Sequence, residues 1–231
     1  SASNLRRAAT VVTESSLPAE AAASAERLAS RLRTLGISIR ELREVGQGRE
    51  LAIPTFATEA IAEFNLVHFA CHGQFKSQDV ENAGLVLAGG QILSTSRLIY
   101  HPMSTPADLV VLAACRSGQT TTNDLGGEWL GFSGALLRIG VRDVVAALWD
   151  VETRSTMRLL DSFYDHLLEQ RDRPAICLGF AMREQIRLGR QGESGGAHPL
   201  TARASEHVQL RLRRLCASPL WWGGLVAMQS R

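Results

Sequence analysis

Leu66-Val67-His68-Phe69-Ala70-Cys71-His72-Gly73 and Leu109-Val110-Val111-Leu112-Ala113-Ala114-Cys115-Arg116-Ser117-Gly118 follow one pattern. Each is a short, nearly all-apolar run that stops abruptly at a reactive side chain, with a glycine close behind. Runs of this length, rich in Val and Leu and bounded by turn residues, read as strands buried on both faces of a parallel sheet. Open α/β sheets bind their ligands outside the carboxyl ends of such strands. One run would carry the imidazole of His72 to that edge and the other the thiol of Cys115. A thiol attacks as thiolate, and a neighbouring imidazole that takes or shares its proton makes that form available. The pattern therefore points to a cysteine nucleophile with a histidine base. The backbone N–H of Gly73, unshielded by a Cβ, and that of Cys115 are candidate oxyanion donors.

Outward from these runs, the chain alternates strand and helix. Ala8–Thr13 reads as a first strand and Ala19–Leu35 as a helix stopped at Gly36. Ile37–Val45, alternating apolar and charged, reads as a more exposed strand, and Thr55–Glu63 as a second helix. This β-α-β-α-β order predicts a parallel sheet with crossover helices and makes Leu66–His72 an interior strand. Leu85–Leu93, folded about Gly89-Gly90, reads as a hairpin, and Thr95–Ile99 as a short helix. Glu128–Ile139 is expected to be helical, Asp143–Trp149 a further buried strand, and Thr153–Glu169 and Pro174–Leu188 two more helices. Gly189–Gly196 reads as a loop and Pro219–Met228 as the last strand. No internal repeat or linker divides residues 1–231, so one domain is expected. A first residue of Ser rather than Met suggests the C-terminal part of a longer chain.

Composition narrows the function classes. At 45% hydrophobic and 21% charged residues the chain is ordinary for a soluble globular protein. A formal charge of +2 leaves no cation excess for phosphates, so nucleic acid is not an expected partner. No apolar run approaches the roughly 20 residues that span a bilayer, so no membrane is expected either. The four cysteines (Cys71, Cys115, Cys177, Cys216) form no CxxC pair and suit a reducing cytoplasm. Neither GxGxxG nor GxxxxGK[ST] follows any strand, which disfavours a nucleotide-binding domain. Cys71, one residue before His72, should turn into the core, and His68 should be a buried, hydrogen-bonded histidine. A zinc site from Cys71, His72 and Cys115 would lack an evident fourth ligand, so neither metal nor cofactor is expected. Cys177 and Cys216 read as core residues, and Asp79, Asp124 and Glu128 as loop acids near the proposed site.

Four motifs together resemble the caspase-like peptidases, and specifically the CHAT family of prokaryotes. They are His-Phe-Ala-Cys-His-Gly at 68–73, Leu-Ala-Ala-Cys-Arg-Ser-Gly at 112–118, Gly-Val-Arg-Asp-Val-Val-Ala-Ala-Leu-Trp-Asp-Val at 140–151, and Pro-Leu-Trp-Trp-Gly-Gly-Leu-Val at 219–226. The resemblance implies a caspase-like three-layer α/β sandwich, with an about six-stranded, mostly parallel sheet between helices. It also implies that His72 is the catalytic histidine and Cys115 the nucleophile. Their interval is similar to the roughly 50-residue spacing of caspases. Where caspases carry Gln two residues before the cysteine this chain has Ala113, and where they carry the arginine that holds an acidic P1 residue it has Asp150. An acidic group there would attract Lys or Arg, so P1 is expected not to be acidic. Trp149 would flank the substrate pockets or cap the core, and the edge along Leu148–Glu152 could pair with an extended substrate. The expected function is that of a cytoplasmic cysteine endopeptidase acting on protein or peptide substrates. A fused or associated sensor module, tetratricopeptide-type or similar, would control it in defence or signalling. The alternative is an inactive scaffold that binds partners through the sheet edge.

Overall fold

A computed structural model of the chain describes residues 5–13, 17, 19–44, 50–74, 83–100, 107–113, 131–147, 153–170, 172–191 and 225–230. Its centre is a seven-stranded sheet. In chain order the strands are β1 (Arg7–Val12), β2 (Ser38–Arg43), β3 (Glu50–Leu51), β4 (Leu66–Ala70), β8 (Leu109–Ala113), β9 (Asp143–Ala147) and β10 (Leu225–Gln229). Their spatial order is β10-β9-β8-β4-β1-β2-β3, and only the β10–β9 pair is antiparallel. The two-residue β3 on the outer edge takes the sheet one strand beyond the expected six. A second sheet of three short antiparallel strands comprises β5 (His72–Gln74), β6 (Gly84–Val86) and β7 (Ile92–Ser94).

Alternation along each strand sorts its side chains into two cores. Val67 and Phe69 of β4, Ala9 and Val11 of β1, Val110 and Leu112 of β8, and Val144 and Ala146 of β9 share one cluster. That cluster is closed by α2 (Pro54–Glu63), α4 (Phe132–Arg138) and the leucines of the small sheet. Leu66, Ala8, Leu109, Val111, Val145 and Ala147 turn to the opposite cluster, under α1 (Ala19–Thr34), α5 (Thr153–Gln170) and α6 (Pro174–Gln191). Burial on both faces is why the strand sequences read as unbroken apolar runs. Helices on both faces of a mostly parallel sheet make the α/β three-layer sandwich expected of a caspase-like fold. Burying Phe69, which is fully inaccessible, contributes roughly 2–3 kcal/mol.

The connections place the functional edge. From β1 the chain builds outward to β2 and β3, then returns to lay β4 on the other side of β1 and continues outward through β8 and β9. The strand order reverses between β1 and β4, and that switch point at the carboxyl ends is where such sheets form a crevice. Gly36 (φ 73°) and Gly140 (φ 101°) take the left-handed conformations that end α1 and the segment after α4.

The small sheet confirms the hairpin expected at 85–93 and adds a strand to it. β6 and β7 pair as Gly84↔Ser94, Leu85↔Leu93 and Val86↔Ile92, and β5 lies on the other side of β6 with His72 opposite Val86. Residues 88–90 form a 3-10 turn whose Ala88 N–H donates to the Ala52 carbonyl at 2.8 Å, and the hydroxyl of Thr95, which opens the short helix α3 (Thr95–Tyr100), donates to the Ala83 carbonyl at 2.9 Å. A Cβ on Gly84 would collide with the Leu93 carbonyl group, so β6 and β7 can lie this close only with glycine there. Gly84→Ala is therefore expected to destabilise the protein by about 1–3 kcal/mol, read as a lower urea midpoint.

Three segments depart from the expectations. Strand β4 stops at Ala70, and His72 belongs to the small sheet rather than to the end of a continuous Leu66–His72 strand. Helix α6 runs through Gly189 to Gln191, where a loop from residue 189 was expected. The third is Arg43, on the strand expected to be exposed, which is 1% accessible. It faces inward and pairs with Glu41 at 3.2 Å and Glu26 at 3.7 Å.

Candidate active site at the carboxyl ends of the central strands

Strands β4 and β8 are neighbours in parallel register, Leu66 opposite Leu109 and Ala70 opposite Ala113. Ala113 ends β8 partly buried. One residue past β4, Cys71 turns into the core at 1% accessibility, and the next, His72, is exposed. The change of face between Cys71 and His72 is what alternation requires. Pairing with β6 seats the backbone of His72, Gly73 and Gln74, so the imidazole rises from a sheet rather than from a loop. Gly73 is half-buried beside it. Of the other expected site residues, Cys115, Trp149 and Asp150 lie outside the described residues, as do Asp79, Asp124, Glu128 and Cys216. The proposed substrate edge at Leu148–Glu152 is also outside them, and the described part of β9 already pairs with β10 along Asp143–Ala147.

The two described cysteines are built for packing. Cys71 lies among the side chains beneath α2 and α4, and burial pushes its thiol well above the usual range. Cys177, in the first turn of α6, is fully inaccessible; burial, and after it the charge of Asp172, raises its thiol too. Neither forms a disulfide. Thiolate fraction and access both govern alkylation. Brief treatment of the native protein with iodoacetamide is expected to leave Cys71 and Cys177 unmodified in a peptide map, and both should react once the protein is unfolded.

His68 is the buried histidine expected from its place inside the strand. Its Nδ1 is 2.8 Å from the Tyr164 hydroxyl of α5, with the two rings in an edge-on contact. Its Nε2 is buried with no hydrogen-bond partner. Burial, reinforced by the nearby Arg43 guanidinium, lowers its pKa to about 4. The ring is thus neutral at physiological pH. Tyr164 belongs to a helix bound to α1 by polar contacts: Asp161 accepts from the Ser24 hydroxyl at 2.8 Å and from Arg27 at 2.6 Å. Sequence reasoning identified a core histidine but not its partner, because Tyr164 reads only as one more apolar position of an amphipathic helix.

The opposite ends of the strands carry a different polar system. Asn65 accepts from the N–H groups of Arg6 and Arg7 and donates to Asp108 at 3.1 Å, and Asp108 pairs with Arg142 at 3.1 Å. This chain of contacts ties the starts of β1, β4, β8 and β9 together, and every group in it is engaged by another. Among the described residues no His, Cys, Asp and Glu group could hold a metal ion, and no helix is long and apolar enough to cross a membrane.

No curated protein matches the chain. Among solved structures, a short-chain dehydrogenase/reductase superfamily protein from Agrobacterium tumefaciens with bound NAD is 14% identical. The match covers 71% of this chain and 62% of that one, so the chain spans less than two thirds of its length, with a TM-score of 0.34. A likeness that low bears on neither fold nor activity. The family comparison is different in kind: the model of the CHAT domain matches residues 2–230, nearly end to end, and the chain belongs to the CHAT-domain family, which is related to the caspase-like cysteine peptidases.

Proposed function

We propose that the chain is a cysteine endopeptidase in which Cys115 is the nucleophile and His72 its base. One observation carries the reading. β4 and β8 lie side by side with Ala70 opposite Ala113, and each candidate residue follows its strand by two residues. Neighbouring strands are about 4.8 Å apart, a separation from which a thiol and an imidazole can share a proton. The exposure of His72 beside the switch point supports the same reading, as does the burial of the adjacent thiol of Cys71.

In the proposed cycle the Cys115 sulfur gives its proton to His72 and attacks the scissile carbonyl carbon. The carbonyl oxygen becomes an oxyanion, held by the N–H groups of Gly73 and Cys115. Collapse of that intermediate breaks the C–N bond, and the imidazolium protonates the departing amine. Water, deprotonated by the same ring, then hydrolyses the thioester and restores the thiol. Ala113, Trp149 and Asp150 would border the side chain on the amino side of the cut, with Asp150 favouring Lys or Arg there. A sensor module would govern the activity in defence or signalling.

Two peptidyl electrophiles that differ only in P1, Lys against Asp, test the assignment by mass spectrometry of the adduct. The account expects modification at Cys115 and faster reaction of the Lys reagent. Modification at any other cysteine would refute the nucleophile, and preference for Asp would refute the role of Asp150.

A further inference from the structure

The α5–α6 hairpin presents an outward face of exposed side chains. Asp172 and Arg173 are exposed just before α6, and along it so are Ala175, Ile176, Phe180, Arg183 and Arg187, with Ile176 at 46% and Phe180 at 44% accessibility. Ile176 and Phe180 are four residues apart and stand on one ridge of the helix. Arg183 lies over the Phe180 ring, 5.8 Å from its centroid, and His166 of α5 stacks against the same ring at 5.4 Å. Arg158 of α5 is exposed one turn before Ser162, on the side of α5 that meets α6. The one carboxylate in α6, Glu184, is half-buried, accepting from the Ser162 hydroxyl and lying 3.9 Å from His166.

The face is therefore a small apolar ridge at which arginines outnumber the acids, Asp172 and Glu184, the second of which is engaged by Ser162. We propose that it docks an acidic, amphipathic helical segment of a second protein. Apolar side chains at helical spacing would seat between Ile176 and Phe180, and flanking carboxylates would meet Arg158, Arg173 and Arg183. Charge complementarity selects this occupant. The chain's own arginine-rich stretch (Arg203, Arg211, Arg213, Arg214) has the wrong sign to cover it. Two half-exposed apolar side chains are too little to insert in a bilayer, and their helical spacing suits a helix ridge better than a stack of bases. The docking is independent of the peptidase assignment, since none of these residues belongs to the proposed catalytic edge.

The test is a titration of the full chain, with its isoleucine methyl groups labelled for NMR, against three probes. Two are synthetic helical peptides of roughly 18 residues, about five turns, with leucine at helical spacing and flanks of Glu in one and Lys in the other. The third is oligouridylate. The Glu-flanked peptide should shift the Ile176 methyl signal, and raising the salt should weaken it. Phe180→Asp should lower the affinity about tenfold or more. Arg183→Glu, at an exposed position that leaves the fold intact, should reverse the preference between the two peptides. The inference is overturned if the Glu-flanked peptide leaves Ile176 unmoved, if both peptides bind alike, or if oligouridylate or self-association of the chain produces the shift instead.

Discussion

Replacing Cys115 by alanine is expected to abolish peptide hydrolysis, and His72→Ala to lower it on the order of a thousandfold. The two losses differ in kind. Without the sulfur no acyl-enzyme can form. Without the imidazole the thiol remains, but with an unassisted pKa near 8.5 only a few per cent is ionised at neutral pH. The labelling rate of the His72→Ala protein should therefore climb as pH rises through about 8.5, whereas the unaltered protein should reach its plateau at lower pH. His72→Ala should leave the fold in place, because the residue is exposed and its backbone pairs with β6. Equal urea midpoints for His72→Ala and the unaltered protein would separate a chemical loss from a structural one.

Acid should destabilise the protein through His68. The folded pKa of about 4 lies below the ordinary value of 6.5, so the native state favours the neutral ring and the unfolded chain takes up the proton first. Stability from this group is complete above about pH 6.5 and is lost as pH falls towards 4. The full difference is on the order of 3 kcal/mol, most of it gone by pH 4.5. In His68→Gln that dependence should vanish while the carboxylate titrations common to both proteins remain. Urea unfolding at pH 7 and pH 4.5 measures it directly: the unaltered protein should lose roughly 2–3 kcal/mol more than the variant. Equal losses would mean that His68 is solvated in the native state.

The central sheet was legible because β1, β4, β8 and β9 are buried on both faces, which writes a continuous apolar run into each. The helices announce themselves by spacing, α5 most clearly. Strand β3 left no signal, being two exposed residues without a pattern of burial. The break at Cys71 was equally silent: alternation carries through it, so the residues read as one strand although the chain moves there from one sheet to another. Arg43 defeats the reading of charge as exposure, because its inward guanidinium is compensated by Glu41 and Glu26, neither of which sequence pattern could pair with it. For the site, the apolar runs and their reactive ends indicated which strands should meet, and the parallel register of β4 and β8 agrees. Sequence could not show that His72 is held by β6, since the three-residue strands of that small sheet are too short to leave a pattern.

The most direct measurement of the central claim is a crystal structure of the protein carrying a peptidyl electrophile at its reactive thiol. The account predicts a thioether at Cys115, with the His72 ring within about 4 Å of the sulfur at the carboxyl edge of β4 and β8 and the adduct's oxygen directed at the Gly73 N–H. A sulfur separated from that ring by packed side chains, or a thioether on any other cysteine, would contradict it.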